Sequence, residues 1–211
     1  MDIARETLVY ERRRVYDPVL RLIHAWNALA IVLLLVTAWL GEEMERGAMR
    51  HRLWEFHIDL GYALIIGMVA RLTWGLIGPA HARFSDMWYP RQWMQALRRR
   101  SWCFGQHYGH NVGATPAYLA VYGLLLMFSV TGLGLAAIEF QLGPAIPWLA
   151  DNAWLKEYFE EPHEVGYYLM MVFVLVHVAA LIYHERKDRV PLAQSMVSGF
   201  QYRIKGSKDA H

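Results

Sequence analysis

One cysteine, Cys103, stands in a chain of 211 residues. That excludes an internal disulfide and any Cys-x-x-Cys-His site for covalent cofactor attachment. Charged residues are scarce, at 19%. There is no nucleophile elbow, phosphate loop or dinucleotide fingerprint. Internal repeats and low-complexity tracts are missing as well. The net charge of +2 is small, and the basic residues are not read as nucleic-acid sites. Facing anionic lipid is sufficient reason for them.

What the chain has instead is apolar sequence in long blocks. Hydrophobic residues make up 55% of it, with 9 Trp and 12 Tyr. Charge-free runs extend over Leu22–Gly41, Val112–Ile138 and Val165–Tyr183, and a fourth, Leu60–Gly78, is broken only by Arg71. Each is long enough, or nearly so, to cross a hydrocarbon layer about 30 Å thick. Buried helices of a soluble bundle are the bland alternative, but too little polar sequence remains to cover four such runs. The reading is an all-α membrane protein: one domain over 1–211, with transmembrane helices at about 18–40, 57–78, 115–138 and 163–184. The first run follows a polar stretch and lacks a small-residue cleavage site before Glu42 and Glu43, so it reads as a retained helix rather than a signal peptide.

Local signals mark the ends. Asp17-Pro18 reads as an N-cap and first-turn proline, Gly78-Pro79 as a stop, and Pro162 as the opening of the fourth helix. Residues 79–111, with tryptophans among arginines, suggest an amphipathic interfacial helix.

Lys and Arg residues set an orientation. Sixteen lie in the amino-terminal tail, the loop between the second and third segments, and the carboxy-terminal tail. Arg46, Arg50, Arg52 and Lys156 alone lie in the other two loops. Positive-inside reasoning places both termini in the cytoplasm.

Histidines then sort by depth. His57 and His163 open the second and fourth segments at the outer face, while His24 and His177 lie at matched depth near the inner one. His163 and His177 are 14 residues apart on one helix, nearly the same face and about 21 Å apart along the axis. Imidazole is a fitting ligand for haem iron, and bundle cores hold cofactors. The economical reading is a four-transmembrane-helix bundle holding two b-type haems, with axial pairs His57/His163 and His24/His177. Gly61, one turn beyond His57, and Gly166, close to His163, would let a flat porphyrin approach the backbone, although small residues also pack membrane helices unaided. Arg71 is read as the partner of an inner-haem propionate; the alternative is a snorkelling arginine or one paired with a carboxylate. His107 and His110 form only a weak alternative metal site.

At this point the residues resemble the bacterial cytochrome b561 and nickel–iron hydrogenase cytochrome b superfamily. The carriers are Asp17-Pro-Val-Leu-Arg-Leu-Ile-His24-Ala-Trp-Asn, His57-x-x-x-Gly61, Arg71-Leu-Thr-Trp-Gly75 and His81-Ala-Arg-Phe84. Gly109-His-Asn111, Thr131-Gly132, His163-Glu to His177-Val and Ser195-Met-Val-Ser-Gly199 follow in order. The resemblance implies a di-haem cytochrome of the bacterial inner membrane that moves electrons between a periplasmic redox partner and the quinone pool. It implies axial histidines on the first, second and fourth helices. The expected partners are membrane lipid, quinone, and a periplasmic electron-transfer protein or hydrogenase-type subunits, with a homo-oligomer left open. Tyr16, Arg21 and Trp74 mark the rim expected for quinone. The alternative function is a self-contained b561-type oxidoreductase that reacts directly with superoxide or ferric ion.

Overall fold

The structure, a computed structural model, describes residues 10–87, 94, 98 and 115–204. Its elements run β1 (Tyr10–Arg14), α1 (Pro18–Glu43), α2 (Ala48–Ile77), α3 (Thr115–Phe140), the short α4 (Ile146–Leu149), α5 (Lys156–Asp188), α6 (Ala193–Ser198) and β2 (Phe200–Ile204). Four helices, α1, α2, α3 and the stretch containing α5, are long and apolar enough to cross a membrane. At most 28% of any of their apolar windows is buried. Leu29, Ile66, Leu126 and Leu175 are exposed by more than half. Such surface is stable only against hydrocarbon, which defines a multi-pass membrane protein.

Contacts group the chain into two compact units: Leu22–Leu72 with Ala117–Val176, and Met1–Arg21 with Thr73–Pro116 and His177–His211.

In the first unit, Ala30 of α1, Leu64 and Met68 of α2, Leu125 of α3 and Met170 of α5 form the buried centre. Leu34, Val121, Phe128 and Phe173 pack around it. Two polar side chains of α1 tie it to α2. The Trp26 indole donates to the Ala63 carbonyl at 2.8 Å, and the Asn27 amide to the Gly67 carbonyl at 3.3 Å. Gly67 has no alternative, because a Cβ there would stand 2.6 Å from the Trp26 ring.

In the second unit, Asp17 caps α1 as the sequence suggests: its Oδ1 accepts the Val19 and Leu20 N–H groups at 2.9 and 3.0 Å. Trp74 Nε1 donates to the same carboxylate at 3.2 Å. β1 and β2 pair antiparallel, Tyr10 opposite Ile204 and Arg14 opposite Phe200. This small ribbon is an addition to the all-α expectation, since YERRR and FQYRI carry no clean alternation and pair only through distant sequence. Gly199 closes α6 in the left-handed region (φ 83°), and its carbonyl accepts the Val15 and Tyr16 N–H groups at 2.9 and 3.1 Å. Arg21 donates to the Met196 and Val197 carbonyls.

Two boundaries differ from expectation. α2 begins at Ala48 rather than near 57, and α5 begins at Lys156, with Pro162 inside it rather than opening it. The added turns are polar, so hydropathy did not count them. They persist through charge: Lys156 bridges Glu139 and Glu160, and Glu157 sits in the positive first turn of α5. The interfacial helix suggested over 79–111 lies largely outside the described residues, and what is described begins with 3₁₀ turns at Ala80–Ala82 and Phe84–Met87.

Candidate functional site

The site is built at one end of the first unit from all four helices. α2 supplies His57 and α5 supplies His163, and their ring centres lie 6.4 Å apart at 67° between planes. Two imidazoles on opposite sides of one metal need this spacing: with metal–nitrogen bonds of about 2 Å and roughly 1.2 Å from nitrogen to ring centre, the centres fall about 6.4 Å apart.

The other two helices supply a hydroxyl to each ring. Thr37 Oγ1 of α1 is 2.8 Å from His57 Nδ1, and Thr131 Oγ1 of α3 is 2.8 Å from His163 Nδ1. Both threonines are buried, at 5% and 6% exposure. Each imidazole also meets an aromatic edge-on: Trp54 lies 5.4 Å from His57 and Phe128 lies 5.0 Å from His163. Small residues admit these aromatics. A Cβ at Gly41 would come within 2.7 Å of Trp54, and one at Gly166 within 3.0 Å of Phe128.

Glycines beside the histidines therefore do different things. A Cβ on Gly61 would meet nothing within 4 Å, so open space lies one turn beyond His57. Gly132 makes room for the imidazole itself, a Cβ there standing 3.3 Å from His163 Cε1. Gly166, expected to face a porphyrin, is instead filled by Met127 and Phe128. Among the described residues no three His, Cys, Asp or Glu gather to hold a bare metal ion. A porphyrin would bring the remaining donors itself, and the histidine pair with the open space at Gly61 fits that group.

Of the other sequence candidates, His24 is exposed on α1 in the first unit and His177 is exposed on α5 in the second. Arg71 is buried at 9% exposure, its guanidinium 5.9 Å over the Tyr122 ring of α3. Tyr122 is also a hydrogen-bonding partner of this side chain. Arg21 and Trp74, expected to border a quinone, are engaged with backbone carbonyls and with Asp17. His51 stacks on Phe140 at 5.4 Å. His107 and His110 lie outside the described residues.

Sequence reading missed Thr37 and gave Thr131 no role. A signal existed: Thr37 is the single hydroxyl of α1. Its meaning depended on which helix it faced.

Four membrane-length helices that together place two histidines ring to ring, each against a threonine, define a multi-pass membrane protein with a candidate cofactor site. Residues 15–199 match the sequence pattern described as prokaryotic cytochrome b561, and the chain belongs to that family. A probable Ni/Fe-hydrogenase B-type cytochrome subunit of Azotobacter vinelandii is 27% identical over 94% of this chain and 90% of its own length. The proteins of the same description from Cupriavidus necator and Rhodobacter capsulatus are 28% and 25% identical. The first of these covers 89% of this chain and 86% of the relative, the second 94% and 86%. No solved structure matches the chain. Family and relatives together make it a b-type membrane cytochrome with an electron-transfer role.

Proposed function

We infer that this chain is a di-haem electron-transfer subunit of the bacterial cytoplasmic membrane, working between a periplasmic hydrogenase-type partner and membrane quinone. The observation that carries the reading is the His57/His163 pair, its ring centres 6.4 Å apart and each Nδ1 set against a threonine hydroxyl. Haem b, when bound, supplies one-electron chemistry through ferric and ferrous iron. His57 and His163 offer Nε2 to the outer iron, and His24 with His177 hold the inner one. Gly61 leaves the backbone of α2 open beside the outer group. Arg71 supplies a fixed positive charge for an inner-haem propionate.

Both termini lie in the cytoplasm by the Lys/Arg asymmetry. A protein partner at the outer face is favoured over direct reaction with small anions, because the few outer cations share that surface with many acids and two of the four are held in ion pairs. Arg50 lies 3.8 Å from Glu42, and Lys156 bridges Glu139 and Glu160. The names of the relatives support a hydrogenase-type subunit as that partner.

Haem stoichiometry tests the reading. Pyridine haemochrome against protein mass on gently solubilised protein is expected to give two b haems per chain. One would remove a histidine pair from the assignment, and none would sink it.

A further inference from the structure

We propose that Thr37 and Thr131 are positioning residues that select the ring nitrogen His57 and His163 present to the iron and tune its potential. The proposal rests on the axial-ligand reading above.

Hydroxyl protons decide the argument. A threonine has one O–H to donate and two lone pairs to accept with. Thr37 Oγ1 lies 2.8 Å from the Leu33 carbonyl and 3.1 Å from that of Leu34. Thr131 Oγ1 lies 2.8 Å from the Met127 carbonyl. A carbonyl oxygen cannot donate, so an oxygen–oxygen contact that short holds the hydroxyl proton. Toward the imidazole at 2.8 Å each threonine is then an acceptor. Nδ1 must carry the hydrogen, which leaves the lone pair on Nε2.

Back-bonding of a helical threonine to its own preceding turn is ordinary and by itself means only local packing. Here the same hydroxyl accepts from a histidine on a different helix, α1 to α2 in one case and α3 to α5 in the other. Both threonines are buried, so water does not replace them. Trp54 and Phe128 close one further side of each ring. The imidazoles are therefore held in position and tautomer before any metal arrives. An acceptor on Nδ1–H also makes Nε2 more basic, which favours ferric over ferrous iron.

The test uses the full-length chain in detergent, with Thr37→Val, Thr131→Val, the double variant, and the serine counterparts Thr37→Ser and Thr131→Ser. Valine keeps the shape and loses the acceptor; serine keeps the acceptor. The readouts are the midpoint potential of each haem by redox titration and the g-values of the ferric haems. Each valine is expected to shift the ferric-to-ferrous affinity ratio of one haem about three- to tenfold toward ferrous, a rise of up to about 59 mV for one electron. The double variant moves further, both serines stay near wild type, and the second haem does not move. Where a valine variant loses the haem, retention by its serine counterpart supports the assignment. Wild-type potentials and g-values in both valine variants overturn it, as does haem loss in serine and valine alike. A wild-type chain without haem, or one that keeps both haems after His57→Ala, overturns the ligand reading itself.

Discussion

A Cβ on Gly41 would stand 2.7 Å from the Trp54 indole, and that indole meets the His57 ring edge-on at 5.4 Å. Across the bundle Gly166 stands in the same relation to Phe128, which meets His163 at 5.0 Å. Each candidate ligand is thus set by a glycine two contacts away. These are packing positions rather than ligand surfaces, and the difference is measurable.

Gly41→Ala forces the Trp54 ring to shift, which costs about 1–3 kcal/mol in a packed interior, whereas Gly166→Ala meets first the flexible end of Met127 and then Phe128 and costs less. Gly61→Ala meets only open space. Helical circular dichroism on heating should therefore show lower melting for the first two and an unchanged transition for Gly61→Ala in haem-free protein. Haem content should fall in all three. Full haem content in Gly61→Ala would show that the space beside His57 holds no part of the cofactor.

The two histidine pairs should fail separately. Removing either partner leaves the other as an orphan ligand, so His57→Ala and His163→Ala should each lower the haem-to-protein ratio from two toward one. His24→Ala and His177→Ala should do the same, but the haem that survives should have a different midpoint potential. If His57→Ala and His24→Ala leave the same haem, the pairing is wrong.

Much of this site was legible in sequence, because membrane solvent forces a simple code. Charge is excluded from apolar spans, so the four runs and the placing of His57 with His163 could be read by counting. Asp17-Pro18 was equally plain, since an N-cap acts within its own helix. Thr37 was not legible: its partner is 20 positions away on another helix, and only packing brings Oγ1 to His57 Nδ1. Gly166 misled for a related reason. A glycine in sequence announces room, but Phe128, far along the chain, decides what fills it. Pro162 looked like a helix start because proline usually is one, yet the charged turn before it extends α5 to Lys156.

Asp17 joins two jobs, the cap of α1 and the anchor of Trp74. Asp17→Ala should cost about 0.5–2 kcal/mol from the lost cap alone. Asp17→Asn keeps a capping oxygen and should lose less. Thermal melts of the two variants, with tryptophan emission followed in parallel, check this. Equal destabilisation would place the value in the charge rather than in the cap.

Orientation is a separate matter from fold, because the same four helices pack identically either way up. Sixteen Lys/Arg on the side of the termini predict both ends in the cytoplasm. A reporter active only outside the cytoplasm should be silent when fused after His211 and active when inserted in the loop at Gln141–Asn152. The reverse pattern would invert the assignment of the outer haem and of its partner surface.

Arg71 offers the sharpest test of the inner half. Its guanidinium is buried in a spanning helix and lies 5.9 Å over the Tyr122 ring, at the outer limit of a cation–π contact. A charge inside a spanning helix is a functional candidate, and the partner proposed for it is an inner-haem propionate. A nearby cation favours the reduced iron. Arg71→Gln should therefore lower the inner-haem potential and leave the outer one in place. Tyr122→Phe retains the cation and should move the potential much less. If Arg71→Gln lowers the melting temperature but moves neither potential, the arginine serves packing alone, and the propionate must find its partner elsewhere.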